Sequence, residues 1–353
     1  MESNKDNLNN RGISIVFKNA ARSRKPISAT LELTTRCNYD CVHCYLKGIH
    51  NKTMSKENAF IIIKKIKEAG GMFLTLTGGE ALLHPDFKEI YTFAIKSGLM
   101  VTVLTNGYLI DDSIMVLFGE YKPRKIEVTI YGMRDESFKT VTGTDYNYAK
   151  VLDNVKRLKA QGHNVLIKAI LLKQNRDDII PIKKWAKEQS CMFQYDYNIL
   201  PTINGDFSVI DNQVDEQELV RFELEYDENC RDKWKYKMAE YDFDNNKKTD
   251  CGCGLFSYMV SVEGIIRQCN FMENDNDNSL LKNDLFDIWD KWDNIKQEKR
   301  IKFSQCLECK YQPLCDICPS MAYAFGKNSE RYMPIERLCK IARFRHGLIN
   351  GED

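Results

Sequence analysis

The pattern of apolar positions between about residues 28 and 200 alternates between two periods. Short runs rich in apolar and β-branched residues alternate with amphipathic stretches, in which apolar residues recur at helical spacing. Six strands separated by helical crossovers predict a parallel sheet with helices packed outside it. We therefore expect an α/β fold, a partial (β/α)6 barrel of the TIM type, with functional loops at the carboxyl ends of the strands. The candidate strands are Ile27–Leu33, Met72–Thr77, Leu99–Leu104, Lys125–Ile130, Asn164–Leu171 and Met192–Tyr197.

Capping residues and glycines mark the ends of the helices that connect these strands. Ser55 is a suitable N-cap for a helix that begins at Lys56, and Gly70-Gly71 ends that helix. Polar residues dominate from about residue 203 to 250, which indicates a connector around one helix, Asp215–Asp227. The predicted helices between the strands are Lys56–Ala69, Asp86–Lys96, Asn147–Ala160 and Arg176–Gln189.

The C-terminal part of the chain is dense in cysteines. Within it, Phe256–Val262 and Ile265–Cys269 flank the turn Glu263-Gly264 and predict a hairpin, and Asp284–Lys299 predicts a helix. The expected organisation is an N-terminal arm (1–26), the barrel (27–202), the helical connector (203–250) and a small cysteine-rich α+β domain (251–345).

Composition and charge narrow the class of protein. The chain has 353 residues, is 43% hydrophobic and carries a net charge of +1, so no overall field favours nucleic acid or an anionic membrane as a partner. No signal peptide or membrane-spanning apolar run is visible, and we expect a cytoplasmic protein. Thirteen cysteines in such a chain indicate metal ligation rather than disulfides.

Three cysteines follow the first predicted strand in a C-x3-C-x2-C pattern: Cys37, Cys41 and Cys44. Three thiolates can hold three corners of a four-iron, four-sulfur cube and leave the fourth iron open for another ligand. The alternatives are reactive thiols or a zinc site, for which His43 is the available fourth ligand. We expect His43 on the solvent side of the loop instead, because it falls between two cysteines that must point one way.

A second motif follows the second predicted strand: Thr77-Gly78-Gly79-Glu80. The glycines allow the backbone to approach a ligand closely, and the carboxylate can form an ion pair with a positively charged group. On its own the motif is also typical of an ordinary turn. Together with the cysteine loop, it resembles the signature of the radical S-adenosylmethionine (SAM) superfamily over about residues 28–230.

The resemblance to radical SAM enzymes implies a site and an activity. Cys37, Cys41 and Cys44 would bind a catalytic 4Fe–4S cluster, with SAM chelating the open iron. The implied oxidoreductase cleaves SAM reductively to methionine and a 5′-deoxyadenosyl radical, which removes hydrogen from an unactivated C–H bond. The residues expected to bind SAM are Gly78, Gly79, Glu80, Asn106 and Thr129.

The remaining cysteine pattern resembles the SPASM domain, an auxiliary-cluster extension of radical SAM enzymes. Eight thiols match two further 4Fe–4S clusters by count, although two structural zinc ions would also fit paired C-x2-C motifs. The spacing between Cys315 and Cys318 departs from the typical form by one residue, and one of the close pair Cys251 and Cys253 could be spare. The resemblance implies one cluster on Cys251, Cys253, Cys269 and Cys318, and another on Cys306, Cys309, Cys315 and Cys339.

The stretches around Phe73–Phe87 and Val128–Gly132 resemble those of peptide-maturing SPASM proteins. This implies a thioether or carbon–carbon crosslink in a ribosomally made peptide, and an electron donor such as flavodoxin or ferredoxin. The first strand begins near residue 27, which leaves no room for a leader-recognition domain, so we expect a separate leader-binding protein if one is used.

Other activities remain open at this point. Sulfatase maturation is less favoured, because Asn270 stands where the relatives carry an aspartate base. The main alternative is a maturase acting on a haem or quinone precursor. A non-catalytic iron–sulfur or zinc scaffold is the alternative outside the enzymes.

Overall fold

In the computed structural model of the chain, a single sheet of eight strands organises the described residues. These are residues 2–49, 51–241, 251–272, 277–292, 306, 308–326 and 334–351, with side chains from residue 12 onward. The strand order is β6-β5-β4-β3-β2-β1-β7-β8. The strands are β1 (Ser28–Glu32), β2 (Phe73–Thr77), β3 (Met100–Thr105), β4 (Lys125–Thr129), β5 (Val165–Ile170), β6 (Met192–Asp196), β7 (Ser257–Val260) and β8 (Ile266–Arg267).

All six strands of the predicted barrel are present, in sequence order and parallel, which confirms the expected α/β fold. The predicted hairpin also forms, as β7 and β8, and it extends the same sheet. β7 pairs in parallel with β1, with Ser28 opposite Ser257 and Leu31 opposite Val260. This pairing satisfies backbone groups that β1 would otherwise expose as an edge strand.

The predicted helices lie within a few residues of their observed bounds. Within the predicted Asp284–Lys299, Leu285–Trp289 is α-helix and residues 290–292 are in 3-10 conformation, while residues 293–299 lie outside the described residues. The helices are α1 (Glu2–Ser23), α2 (Lys56–Glu68), α3 (Phe87–Lys96), α4 (Asp112–Glu120), α5 (Asp135–Thr142), α6 (Tyr148–Ala160), α7 (Ile179–Glu188), α8 (Glu216–Tyr226), α9 (Cys230–Ala239), α10 (Leu285–Trp289), α11 (Pro319–Phe325) and α12 (Glu336–Asn350).

The two faces of the sheet differ in polarity. Ala29 and Leu31 of β1 are buried in the main hydrophobic core, as are Ile62 and Ile66 of α2. Alternate strand positions point to opposite faces, so the other face carries a polar set that includes Glu32 and Lys168. The helices therefore cover one face, and the polar face remains for a site.

Helix α1 occupies the region predicted as an N-terminal arm. Its Phe17 ring lies 4.9 Å from that of Phe73, the first residue of β2, and 5.0 Å from that of Phe256, just before β7. The helix thus packs at the amino-terminal end of the sheet, opposite the end at which the predicted site residues lie. Among the described residues, no helix combines the length and apolar character that crossing a bilayer requires.

Candidate functional site

The loop that carries Cys37, Cys41 and Cys44 leaves β1 and is held at both ends. At its start, the backbone N–H of Thr35 donates to the carbonyl of Lys52 (2.8 Å). In its middle, the N–H groups of Asp40 and Val42 donate to carbonyls at the end of α5, at 2.9 and 3.0 Å. These bonds fix the backbone between the first and third cysteines.

The three thiols face one another in a water-poor setting. Burial is the main cause that raises the pKa of Cys37 to about 12 and that of Cys41 well above its usual range, and the nearby Cys44 contributes in the same direction to both. Without a metal these thiols are therefore neutral. A metal centre would supply the positive charge that thiolates need at this position.

The donor set can hold a 4Fe–4S cluster. Among the described residues, no three His, Cys, Asp or Glu side chains are grouped as ligands of one metal ion. A 4Fe–4S cube does not require such a group, because each thiolate binds its own iron. The N–H of Tyr39 and the amide of Asn106 also point at the Cys37 sulfur, at 3.4 and 3.9 Å, and N–H donors stabilise cluster sulfurs.

Aromatic rings surround the cysteine loop. The Tyr39 ring lies 5.7 Å from Phe138 and 6.0 Å from Tyr131, and Tyr108 stacks on Tyr146 at 4.3 Å. This shell limits water around the three sulfurs. This aromatic shell was not predicted from the sequence, although Tyr39 and Tyr131 lie in or beside motifs that were identified there.

His43 does not lie on the solvent side of the loop, so that expectation was wrong. Its ring lies 5.6 Å from that of Tyr131, and burial lowers the pKa of His43 to about 4. The loop curls so that residues between the cysteines also face the protein. His43 Nδ1, Asn38 Nδ2 and the Tyr39 hydroxyl are buried without a partner among the described residues, which is consistent with a polar group beside the loop.

The glycines after β2 pack against the cysteine loop itself. The N–H of Gly79 donates to the carbonyl of Thr34, and that of Glu80 to the carbonyl of Arg36, both at 2.8 Å. A Cβ on Gly78 would lie 2.2 Å from the Thr34 oxygen. The absence of a side chain on these glycines therefore lets the loop after β2 pack directly against the backbone of the cysteine loop.

Glu80 joins the ends of β2 and β3. Its carboxylate accepts hydrogen bonds from the N–H of Leu82 (3.1 Å), the hydroxyl of Thr105 (2.8 Å) and the N–H of Asn106 (2.7 Å). Burial raises the pKa of Glu80 to about 6, against the opposite effect of these bonds. The group is mainly ionised at pH 7, and an anion at this position can bind a cationic ligand.

Asn106 and Thr129 lie at the same end of the sheet as Glu80. The Asn106 amide donates to the side chain of Asn38 at 2.8 Å, so it connects the cysteine loop to β3. Thr129 is the last residue of β4 and is half-buried. Thr105, which sequence reasoning did not select, contacts Glu80 directly and could have been found from its position beside Asn106.

The structure also brings together the cysteines expected to form the first auxiliary group. The thiol of Cys253 contacts those of Cys251 and Cys269, and hydrogen bonding to Cys253 lowers the pKa of Cys251 to about 7 and that of Cys269 to about 6. Cys318 is close enough to Cys269 and Cys251 for both to raise its pKa, although burial is the larger cause.

The cysteines of the expected second group share one cavity. Cys306, Cys309, Cys315 and Cys339 all line a space of about 50 Å³, together with apolar groups such as Ile317 and Ala342. Burial raises the pKa of Cys306 to about 11 and that of Cys315 to about 12. Four cysteines around one mostly apolar space form a donor set suited to a metal centre.

Comparison with known proteins agrees with this geometry. Residues 31–186 match the radical SAM superfamily. The chain is 25% identical over 319 residues to the antilisterial bacteriocin subtilosin biosynthesis protein AlbA of Bacillus subtilis (strain 168), covering 87% of this chain and 69% of that protein. It is 23% identical over 330 residues to the AdoMet-dependent heme synthase of Methanosarcina barkeri (strain Fusaro / DSM 804), covering 86% of this chain and 94% of that one.

A solved structure shares the fold. The crystal structure of Streptococcus suis SuiB bound to precursor peptide SuiA superimposes with a TM-score of 0.68 at 16% identity, covering 89% of this chain and 76% of that one. The motif residues, their convergence at one end of the parallel sheet and the match to the family model agree. The chain is an enzyme, and its residues 31–186 belong to the radical SAM superfamily.

Proposed function

We propose that this enzyme matures a peptide, installing a thioether or a carbon–carbon crosslink in a ribosomally made precursor. The observation that carries the proposal is the presence, on one chain, of the cysteine loop after β1 and two further groups of thiols after residue 250. Similarity to AlbA over 87% of the chain supports a peptide as the substrate class.

Cys37, Cys41 and Cys44 would hold the catalytic 4Fe–4S cluster, which together with SAM supplies one-electron cleavage and a radical that removes hydrogen from the substrate. The chain's own residues orient and shield this site. Glu80, held by three hydrogen-bond donors, offers a fixed anion to the SAM ammonium group. Gly78, Gly79, Asn106 and Thr129 are proposed to complete the SAM site.

The C-terminal thiols would hold two auxiliary 4Fe–4S clusters. Cys251, Cys253, Cys269 and Cys318 are the proposed ligands of one, and the four cysteines that line the cavity are those of the other. A flavodoxin or ferredoxin would deliver electrons, and a separate protein would bind the leader of the precursor. The proposed domain bounds remain 27–202 for the barrel and 251–345 for the SPASM region.

The test is anaerobic reconstitution with SAM, a reductant and the peptide encoded beside this gene, followed by mass spectrometry. We expect the peptide to lose two hydrogens, because one new bond replaces two bonds to hydrogen. The Cys37→Ala, Cys41→Ala, Cys44→Ala variant should leave the peptide mass unchanged. Abundant 5′-deoxyadenosine with an unaltered peptide would contradict the peptide assignment.

A haem precursor is the second candidate substrate. It is favoured by the similarity to the AdoMet-dependent heme synthase, which spans 94% of that protein. In a parallel reaction, an iron porphyrin precursor replaces the peptide. A change in its absorption spectrum and mass, with no change in the peptide, would favour this second function.

A further inference from the structure

A buried arginine at the C-terminal end of the chain makes a full set of hydrogen bonds. Arg345 lies on α12, and its side chain is 4% exposed. Its guanidinium donates twice to the Glu223 carboxylate, at 2.9 and 2.5 Å, and once to the carbonyl of Leu314 at 2.7 Å. It also donates to Asp316 at 2.7 Å and to the Tyr197 hydroxyl at 2.9 Å.

These five bonds use all five N–H donors of the guanidinium. A lysine has three donors on a single nitrogen and cannot reproduce the arrangement. The Glu223 side chain is only 9% exposed, so its charge depends on Arg345 for compensation. The set therefore requires arginine, and it requires this position on α12.

Asp316 stands on the loop that supplies one cysteine to each C-terminal thiol group. Cys315, just before it, lines the cavity with the three other cysteines of that group. Cys318, two residues after it, adjoins Cys269 and Cys251. The position of this one loop therefore affects the geometry of both groups.

Two other partners of Arg345, Tyr197 and Glu223, lie outside the cysteine-rich region. Tyr197 immediately follows β6, and its hydroxyl donates to Asp316. Glu223 lies on α8, whose Phe222 ring packs 5.4 Å from that of Tyr195 on β6. Through Arg345, the cysteine-bearing loop is joined to the carboxyl end of the last barrel strand.

We infer that Arg345 is a positioning residue for both auxiliary clusters, acting through Asp316 to hold residues 315–318 against the end of β6. The inference rests on the proposed ligation by the C-terminal cysteines. Arg345 itself touches no thiol in the bonds described, so it acts by placing Cys315 and Cys318. Loss of Arg345 would displace one ligand of each cluster together.

A purely stabilising arginine would behave differently, and a second ion pair serves as the control. Arg134 donates to Asp178 at 2.9 Å, and the Asp178 side chain is 3% exposed. Arg134→Met thus leaves a buried carboxylate without its cation, as Arg345→Met does. Arg134 and Asp178 immediately precede α5 and α7, in a part of the chain that does not carry the C-terminal thiols.

The experiment uses the full chain carrying Cys37→Ala, Cys41→Ala and Cys44→Ala, so that iron binds at the C-terminal sites. Anaerobically reconstituted protein is reduced for electron paramagnetic resonance, and iron is then measured after challenge with a chelator. We expect Arg345→Met to change the spectrum and to weaken iron retention at least about 10-fold, as loss of an outer-shell partner does. Arg345→Lys should restore part of the retention, and Arg134→Met should match the parent.

An unchanged spectrum and unchanged iron retention in Arg345→Met, with only its melting temperature lowered, would overturn the inference. So would a parent that binds no iron, because no auxiliary cluster would then exist. If Arg345→Met does not fold, the same spectrum and iron retention are measured on Tyr197→Phe. This variant removes the hydroxyl that bonds to Arg345 and Asp316. The assay contains neither SAM nor peptide, so failure of the proposed peptide chemistry would not affect it.

Discussion

At the scale of single residues, contacts between loops shape the site as much as the ligands do. Gly79 lies where the loop after β2 crosses the cysteine loop, and a Cβ there would fall 2.5 Å from the Arg36 oxygen and 2.6 Å from the Thr35 oxygen. Both oxygens belong to the backbone, which cannot change position as easily as the end of a flexible side chain can. Gly79 therefore determines how closely the two loops approach.

We predict that Gly79→Ala destabilises the metal-free chain by about 1–3 kcal/mol, because the added methyl group forces the cysteine loop to move. The measurement is urea unfolding under reducing conditions, followed by circular dichroism. Gly119→Ala is the matched control: the glycine lies within α4 with nothing within 4 Å of an added Cβ. That change should stabilise by up to about 1 kcal/mol through helix propensity. Equal effects of the two variants would refute the prediction.

At the scale of elements, the sequence signals differed in strength. The barrel strands were predicted to within two residues at each end, because parallel strands buried by helices read as continuous apolar runs. Helices α1, α4, α5, α9, α11 and α12 were not predicted. Helices α1 and α9 are rich in polar residues, and the stability of such helices in proteins comes mainly from tertiary packing.

Helix α1 gives a prediction at this scale. Phe17→Ala should lower the free energy of unfolding by about 2 kcal/mol, since a half-buried ring that contacts Phe73 and Phe256 is lost. Ile15→Ala on the same helix is the control, because Ile15 is 58% exposed. It should change stability by less than about 0.5 kcal/mol. A loss in Ile15→Ala as large as that in Phe17→Ala would mean that α1 does not dock as described.

At the scale of the whole molecule, the barrel and the cysteine-rich region share a sheet and a core. β1 pairs with β2 on one side and with β7 on the other. The main hydrophobic core includes Leu31 of β1 and Ile341 of α12. The two regions are therefore expected to unfold together.

The prediction at this scale is a single unfolding transition in urea. The chain has four tryptophans, and Trp185→Phe leaves three that all lie after residue 230. In this variant tryptophan fluorescence reports on the C-terminal part, while far-UV circular dichroism reports on all helices. We expect the two midpoints to coincide. A fluorescence midpoint clearly below that of the circular dichroism would show that the C-terminal part unfolds first.

Features of the sequence were enough to predict the α/β barrel, the cysteine loop after β1 and the glycine-rich motif after β2. These follow from local features: the two hydrophobic periods, the spacing of cysteines within one loop, and glycines at a strand end. Such features involve residues that are close together in the sequence, so they can be recognised without knowledge of the three-dimensional structure.

Contacts between distant segments became evident only from the folded chain. The pairing of β7 with β1 and the close approach of Gly79 to the Arg36 carbonyl join residues far apart in sequence. The same holds for Arg345, which reaches Glu223 across 122 positions of the chain. The half-buried His43 ring is turned towards Tyr131 by the path of its loop. No local pattern encodes these contacts, because they arise when whole elements pack and buried polar groups must find partners.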